Sequence, residues 1–305
     1  MRTVIDVENI NKSFYGKKVV NNISLKVEKG DIYGFLGPNG SGKTTTIRMI
    51  CGLLPIDSGT GTCLGYDIQT QSAMIKQRVG YMTQKFTLYS DLTVEENLKF
   101  FAQLFQVKDK KRKVKEMIEQ LEIGQARKKQ LAGTLSGGWK QRLALGVATI
   151  HNPDLLLLDE PTAGVDPKAR RDFWDEIFRL SSQGITTLVS THYMDEAERC
   201  NKLAYIAYGN MLIKGSCKDV IESAGIQTWL VSGDNLNRLA KALENCVEIS
   251  QVSAFGLELH VSAPAAENLT FIIERFAKGY KWRQITPSLE DVFIHLMQEN
   301  KDNFA

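Results

Sequence analysis

The chain has 305 residues, 43% of them hydrophobic and 24% charged, and a net charge of +3. That length holds one large core plus a smaller domain, while a charge so close to neutral gives no argument by itself for nucleic acid. No stretch approaches the roughly eighteen uninterrupted apolar residues of a membrane span, and the opening Met1 to Asp6 has no signal-peptide core. Cys51, Cys63, Cys200, Cys217 and Cys246 are scattered without a C-x-x-C pair and read as reduced thiols. The expected location is cytoplasmic, with any membrane role exerted through a partner.

Along the chain, Val4-Ile5-Asp6-Val7 and Ile23-Ser24-Leu25-Lys26-Val27 alternate between apolar and polar residues. The turn residues Tyr15-Gly16 and Glu28-Lys29-Gly30 separate these runs, which predicts antiparallel strands. Ile32 to Leu36 reads as a buried strand and Thr45 to Ile50 as a helix. Between them lies Gly37-Pro38-Asn39-Gly40-Ser41-Gly42-Lys43-Thr44, which matches G-x-x-x-x-G-K-[ST] in the strand–loop–helix setting that a phosphate-binding loop requires. Without Cβ atoms, Gly37, Gly40 and Gly42 let successive N–H groups point at one anion. The helix that begins near Thr45 adds the positive end of its dipole. Lys43 can reach the β- and γ-phosphates, and the Thr44 hydroxyl can ligate Mg²⁺. These residues predict a nucleoside triphosphate site. Tyr15 has two readings, an exposed ring on which adenine stacks or an ordinary strand-end tyrosine.

Beyond the loop helix, Val79 to Gln84 reads as a second buried strand ending in a polar residue. Thr93-Val94-Glu95-Glu96 is a capping-box pattern, and Leu98, Phe101, Ala102 and Phe105 follow at helical spacing. Residues 85 to 152 are therefore expected to form a helical subdomain inserted into an α/β core. Within it, Lys108 to Lys115 is a basic run that lipid head groups or RNA would suit, and it reads as a solvated helix face. Ser136-Gly137-Gly138 opens an apolar helix. Ser136 can cap it, and the two glycines leave its first N–H groups uncovered, which makes a second anion site. Asp154 to Pro161 reads as a buried parallel strand ending in the carboxylates Asp159 and Glu160, and Thr187 to His192 as another such strand. Ligands of open α/β sheets bind at the carboxyl ends of their strands, so these groups should face the phosphate loop.

This ordered set closely resembles the nucleotide-binding subunit of ATP-binding cassette (ABC) transporters, over about residues 4 to 220. Residues 37–44 are similar to the Walker A motif, Leu155 to Asp159 to Walker B and Leu135 to Gly138 to the family signature. Gln84 is similar to the Q-loop residue, Ala163-Gly164-Val165-Asp166 to the D-loop and His192 to the switch histidine. Trp139 stands where glutamine is commonest. The branch most resembled is the bacterial exporter type, drug and polysaccharide exporters among them.

The resemblance implies roles. Gly37 through Thr45, Ser136, Gly137, Gly138, Asp166 and Tyr15 would contact ATP. Thr44, Gln84 and Asp159 would hold Mg²⁺. Glu160 would polarise the attacking water, with Gln84 and His192 sensing the metal, the water and the γ-phosphate. Two anion sites on one chain imply a head-to-tail dimer enclosing two ATP, coupled to a separate membrane permease that docks near Gln84 to Glu96. The subunit would be peripheral on the inner face of the membrane, with no direct nucleic-acid partner. Another reading is a soluble ABC ATPase acting on ribosomes or DNA, a class that usually carries two cassettes or long coiled coils.

Past residue 220 the order strand–helix–strand–strand–helix–strand predicts a small α+β ferredoxin-like module over 221–305, closed by a helix capped at Ser288. Its expected role is dimer support or core packing.

Overall fold

Alternation of apolar and polar residues sets the first two strands. In the computed structural model, which describes residues 2–85 and 87–299, β1 (Thr3–Phe14) pairs antiparallel with β2 (Lys17–Glu28). Met1, Phe86 and residues 300–305, which the expected domain limits and the expected docking segment include, lie outside the described residues. Tyr15 and Gly16 join the two strands, with φ of 52° and 79°. Positive φ at both central residues matches the strand twist of a two-residue hairpin. Ile5, Val7, Ile10, Ile23 and Leu25 bury one face of this pair.

β3 (Ile32–Leu36) is buried along its whole length and leads through the glycine-rich loop into α1 (Lys43–Ile50). β4 (Ser58–Cys63) and β5 (Tyr66–Asp67) complete an antiparallel sheet of order β2-β1-β4-β5. Next come α2 (Ser72–Lys76) and β6 (Val79–Met82). α3 (Val94–Leu104) starts at the expected capping box: the Thr93 hydroxyl accepts from the Glu96 N–H, and the Glu96 carboxylate accepts from the Thr93 N–H. α4 (Lys110–Gln120) and α5 (Gly137–Thr149) pack with α3 around Leu98, Ala102, Val114, Met117 and Leu143. The basic run lies on α4 as an exposed face, where Arg112 pairs with Asp109 and Glu116.

β7 (Leu155–Asp159), α6 (Pro167–Ser182), β8 (Thr186–Thr191), α7 (Met194–Ala197), β9 (Lys202–Ala207) and β10 (Asn210–Gly215) follow. Strands β9-β3-β8-β7-β6 form a parallel array in that order, with β10 next to β9. Burial on both faces explains why β7 reads as an unbroken apolar run rather than an alternating one. The register is what builds the site. Leu36 lies beside Thr191, and Asp159 beside Ser190, so β3, β7 and β8 end together at one edge of the sheet.

The chain divides into two compact units, Met1–Tyr193 with Cys200–Met211, and Met194–Arg199 with Leu212–Ala305. The second contains α8 (Cys217–Ser223), β11 (Ile226–Gly233), α9 (Leu236–Leu243), β12 (Gln251–Phe255), β13 (Glu258–Pro264), α10 (Thr270–Arg275), β14 (Tyr280–Ile285) and α11 (Leu289–Glu299). Its strands pair antiparallel in the order β12-β13-β11-β14, the interleaved arrangement of a split βαβ unit. Val231, Leu239, Leu243, Val261 and Ile272 fill its core. The Ser288 hydroxyl accepts from the Asp291 N–H at 3.1 Å and caps α11. Among the described residues no helix is long and apolar enough to cross a membrane.

Candidate functional site

The phosphate loop is shaped by crowding as much as by glycine's freedom. Gly37 and Gly42 have φ of 145° and 101°, which L side chains rarely adopt. A Cβ on Gly37 would lie 1.9 Å from the Ile206 carbonyl oxygen, and one on Gly42 2.6 Å from that of Val19. The loop passes so close to neighbouring backbone that only glycine fits. Lys43 is buried inside it, donating from Nζ to the carbonyls of Gly37 at 2.8 Å and Pro38 at 2.9 Å. Burial pushes its ammonium below the usual lysine range, while Glu160 and Asp159 pull the other way. The Ser41 hydroxyl is buried and has no hydrogen-bond partner among the described residues. Thr46, by contrast, turns its hydroxyl back onto the Gly42 carbonyl and belongs to the helix.

At the same sheet edge the Thr44 hydroxyl donates to Asp159 Oδ1 at 2.8 Å, and the Ser190 hydroxyl donates to the same oxygen at 2.5 Å. Glu160 stands one residue further, with φ of 45°, an uncommon value for a side-chain-bearing residue. Its N–H donates to the Ser190 carbonyl at 3.0 Å, which fixes the turn. Its carboxylate sits between two of the expected site residues: Gln84 Nε2 donates to Oε2 at 2.8 Å, and His192 Nδ1 lies 3.4 Å from Oε1. Gln84 thus contacts Glu160 rather than Asp159. Ser190 is the residue that sequence reasoning passed over. It is the last residue but one of β8, which ends at Thr191, so His192, expected to end the strand, lies just beyond it.

The start of α5 differs from expectation in one detail. Ser136 occupies the N-cap position, with φ −64° and ψ 162°, yet its side chain makes no capping hydrogen bond. Its hydroxyl is exposed beside N–H groups of Gly137, Gly138 and Trp139 that have no helical acceptor. Helix α5 lies on β6, so closely that a Cβ on Gly80 would be 2.1 Å from the Ala148 carbonyl oxygen. β6 is three strands from β3, about 14 Å across the sheet, so the carboxyl end of α5 packs well to one side of the strand that leads into the phosphate loop. Asp166 caps α6, accepting from the Ala169 N–H at 3.0 Å. Tyr15 is fully exposed at the hairpin tip.

Comparison with known proteins agrees with this arrangement. The ABC transporter family profile matches residues 20–163. The probable multidrug ABC transporter ATP-binding protein YbhF of Escherichia coli (strain K12) is 40% identical over 220 residues, covering 72% of this chain; the chain spans 38% of that protein's length. Nod factor export ATP-binding protein I of Rhizobium sp. (strain N33) is 37% identical over 300 residues, 97% of each chain. Among solved structures, the ADP conformation of MJ1267, an ATP-binding cassette of an ABC transporter, superposes with a TM-score of 0.64 at 28% identity, covering 72% of this chain and 93% of that one. A relative matched nearly end to end and a glycine-rich loop walled by its own backbone lead to one conclusion: the chain belongs to the ATP-binding proteins of the ABC transporter family.

Proposed function

We propose that the chain is the ATP-hydrolysing motor of an exporter, working as a head-to-tail dimer beneath a membrane permease. The observation that carries the hydrolytic reading is the Glu160 carboxylate held between Gln84 and His192, one residue beyond the Asp159–Thr44 pair. The export reading is supported by the relatives, one named for multidrug transport and the other for Nod factor export.

The phosphates of ATP would lie in the loop 37–45, with the Lys43 ammonium leaving the Gly37 and Pro38 carbonyls for the β- and γ-oxygens. Thr44 and Asp159 would hold Mg²⁺, with Gln84 supplying its amide oxygen. Hydroxyl and carboxylate oxygens suit that ion, and the partnerless buried Ser41 hydroxyl is available to the phosphate side. When bound, the ion neutralises charge that develops on the phosphate oxygens. Glu160 accepts the proton of the attacking water, while His192 and Gln84, already within reach of its carboxylate, orient that water. A placed general base contributes about 10²–10⁴-fold in rate. Ser136 and the N–H groups of Gly137 and Gly138 would close over the γ-phosphate held by the other subunit, with Asp166 nearby. A polar interface bridged by phosphate opens once that phosphate is cleaved. The permease would dock between the core and helical subdomains near Gln84 to Glu96, placing the subunit on the cytoplasmic face of the membrane.

In the test, Glu160→Gln binds ATP, loses about 10²–10⁴-fold in kcat, and accumulates as an ATP-bound dimer by analytical ultracentrifugation. Turnover like that of the unaltered chain would remove Glu160 from this role.

A further inference from the structure

Trp139 lies on the first turn of α5, and two guanidinium groups stack on it. Arg127 Cζ is 4.0 Å from the indole centroid and Arg142 Cζ is 5.2 Å, both within the about 6 Å reach of a cation–π contact. Arg127 belongs to the short turn Arg127–Lys129 ahead of α5, and Arg142 to α5 itself, one turn beyond Trp139. Arg142 continues the connection: it donates to Asp172 on α6 at 2.9 Å and lies 3.5 Å from Glu122 after α4. A second contact joins the same two helices. A Cβ on Gly138 would be 2.7 Å from that of Ala169, in the first turn of α6. The first two turns of α5 and α6 are therefore held together by a close approach at Gly138 and an ion pair at Arg142, neither of which uses Ser136 or Gly137.

We propose that Trp139 is a positioning residue of the second phosphate site. By holding Arg127 and Arg142 against its two-ring face it orients the start of α5 toward the start of α6, so that the Ser136 hydroxyl and the uncovered N–H groups are aimed before a phosphate arrives. A glutamine at this position has no π face to hold the guanidiniums. The inference rests on the dimer reading above, since only a facing subunit's nucleotide would use the aimed groups.

The test uses the full chain in the Glu160→Gln background with Mg²⁺-ATP, reading dimer formation by analytical ultracentrifugation. Trp139→Gln and Trp139→Leu weaken ATP-dependent dimerisation about 5- to 30-fold, the worth of two cation–π contacts, and Trp139→Phe recovers most of it. Binding of a fluorescent ATP analogue to the monomer stays unchanged in all three, since the loop 37–45 is intact. Undiminished dimerisation in Trp139→Gln, or Trp139→Phe no better than Trp139→Leu, overturns the proposal; the second outcome would mean that bulk alone matters. If the Glu160→Gln chain with Trp139 intact fails to dimerise, the dimer reading falls first and this inference with it.

Discussion

The phosphate loop and the start of α5 are both glycine-rich turns into a helix, and their surroundings make them opposites. Around Gly37 and Gly42 there is no room even for a methyl group, and Lys43 is buried and bonded to the loop's own carbonyls. At α5 the nearest atom to a Cβ on Gly137 is the Gly164 carbonyl oxygen, 3.8 Å away, and the Ser136 hydroxyl is exposed without a capping bond. The first site is walled by its own chain and shaped before any ligand enters. The second has donors and one helix behind it, and open space in front. In the dimer proposed above, a facing subunit would close that open side, so that two subunits share each ATP.

The comparison breaks most violently at Gly37. Gly37→Ala drives a methyl into the Ile206 carbonyl at a φ that alanine resists, and should lower unfolding free energy by about 3 kcal/mol or more in urea titration. A loss below about 1 kcal/mol would mean that the loop is looser than its contacts indicate. Gly137→Ala is the mirror experiment. Alanine fits the space and the helical backbone there, so stability should hold within about 0.5 kcal/mol. ATPase activity should nevertheless fall about 10- to 100-fold, because the methyl blocks phosphate from a charge-assisted N–H contact. Full activity in that variant would show that the opening of α5 is not used. The smallest effect belongs to Tyr15. Tyr15→Asn keeps a residue at home in the hairpin turn and removes the exposed ring, so stability is unchanged or slightly higher. ATP affinity, by titration of the monomer, drops about 2- to 10-fold if the ring stacks on adenine. An unchanged affinity assigns Tyr15 to the hairpin alone.

Much of the fold was legible because its signals are local. Thr93 and Glu96 announce the start of α3 by their spacing, the unbroken apolar run of β7 announces a strand covered on both faces, and the alternation of Leu257, Leu259 and Val261 with polar residues announces β13. Two local signals were misread or passed over. Ser136 has the residue type of a helix cap yet leaves the capping bond unmade, and Asp166 ahead of Pro167 has the sequence of a cap and forms one. Propensity says which residues can cap, whereas geometry at the helix start decides whether they do.

The sequence by itself determined the phosphate loop, its flanking strand and helix, and the identity of the acidic pair, since each is written within a few consecutive residues. Only the tertiary structure decided which groups meet. Gln84 reaches Glu160 across 76 positions, Thr44 reaches Asp159 across 115, and Ser190 joins them across 31. Those encounters follow from the sheet order β3-β8-β7-β6 and its parallel register, which bring strand ends together at one edge. Register between distant strands is set by the burial of whole faces, a property of the packed core that no single segment carries.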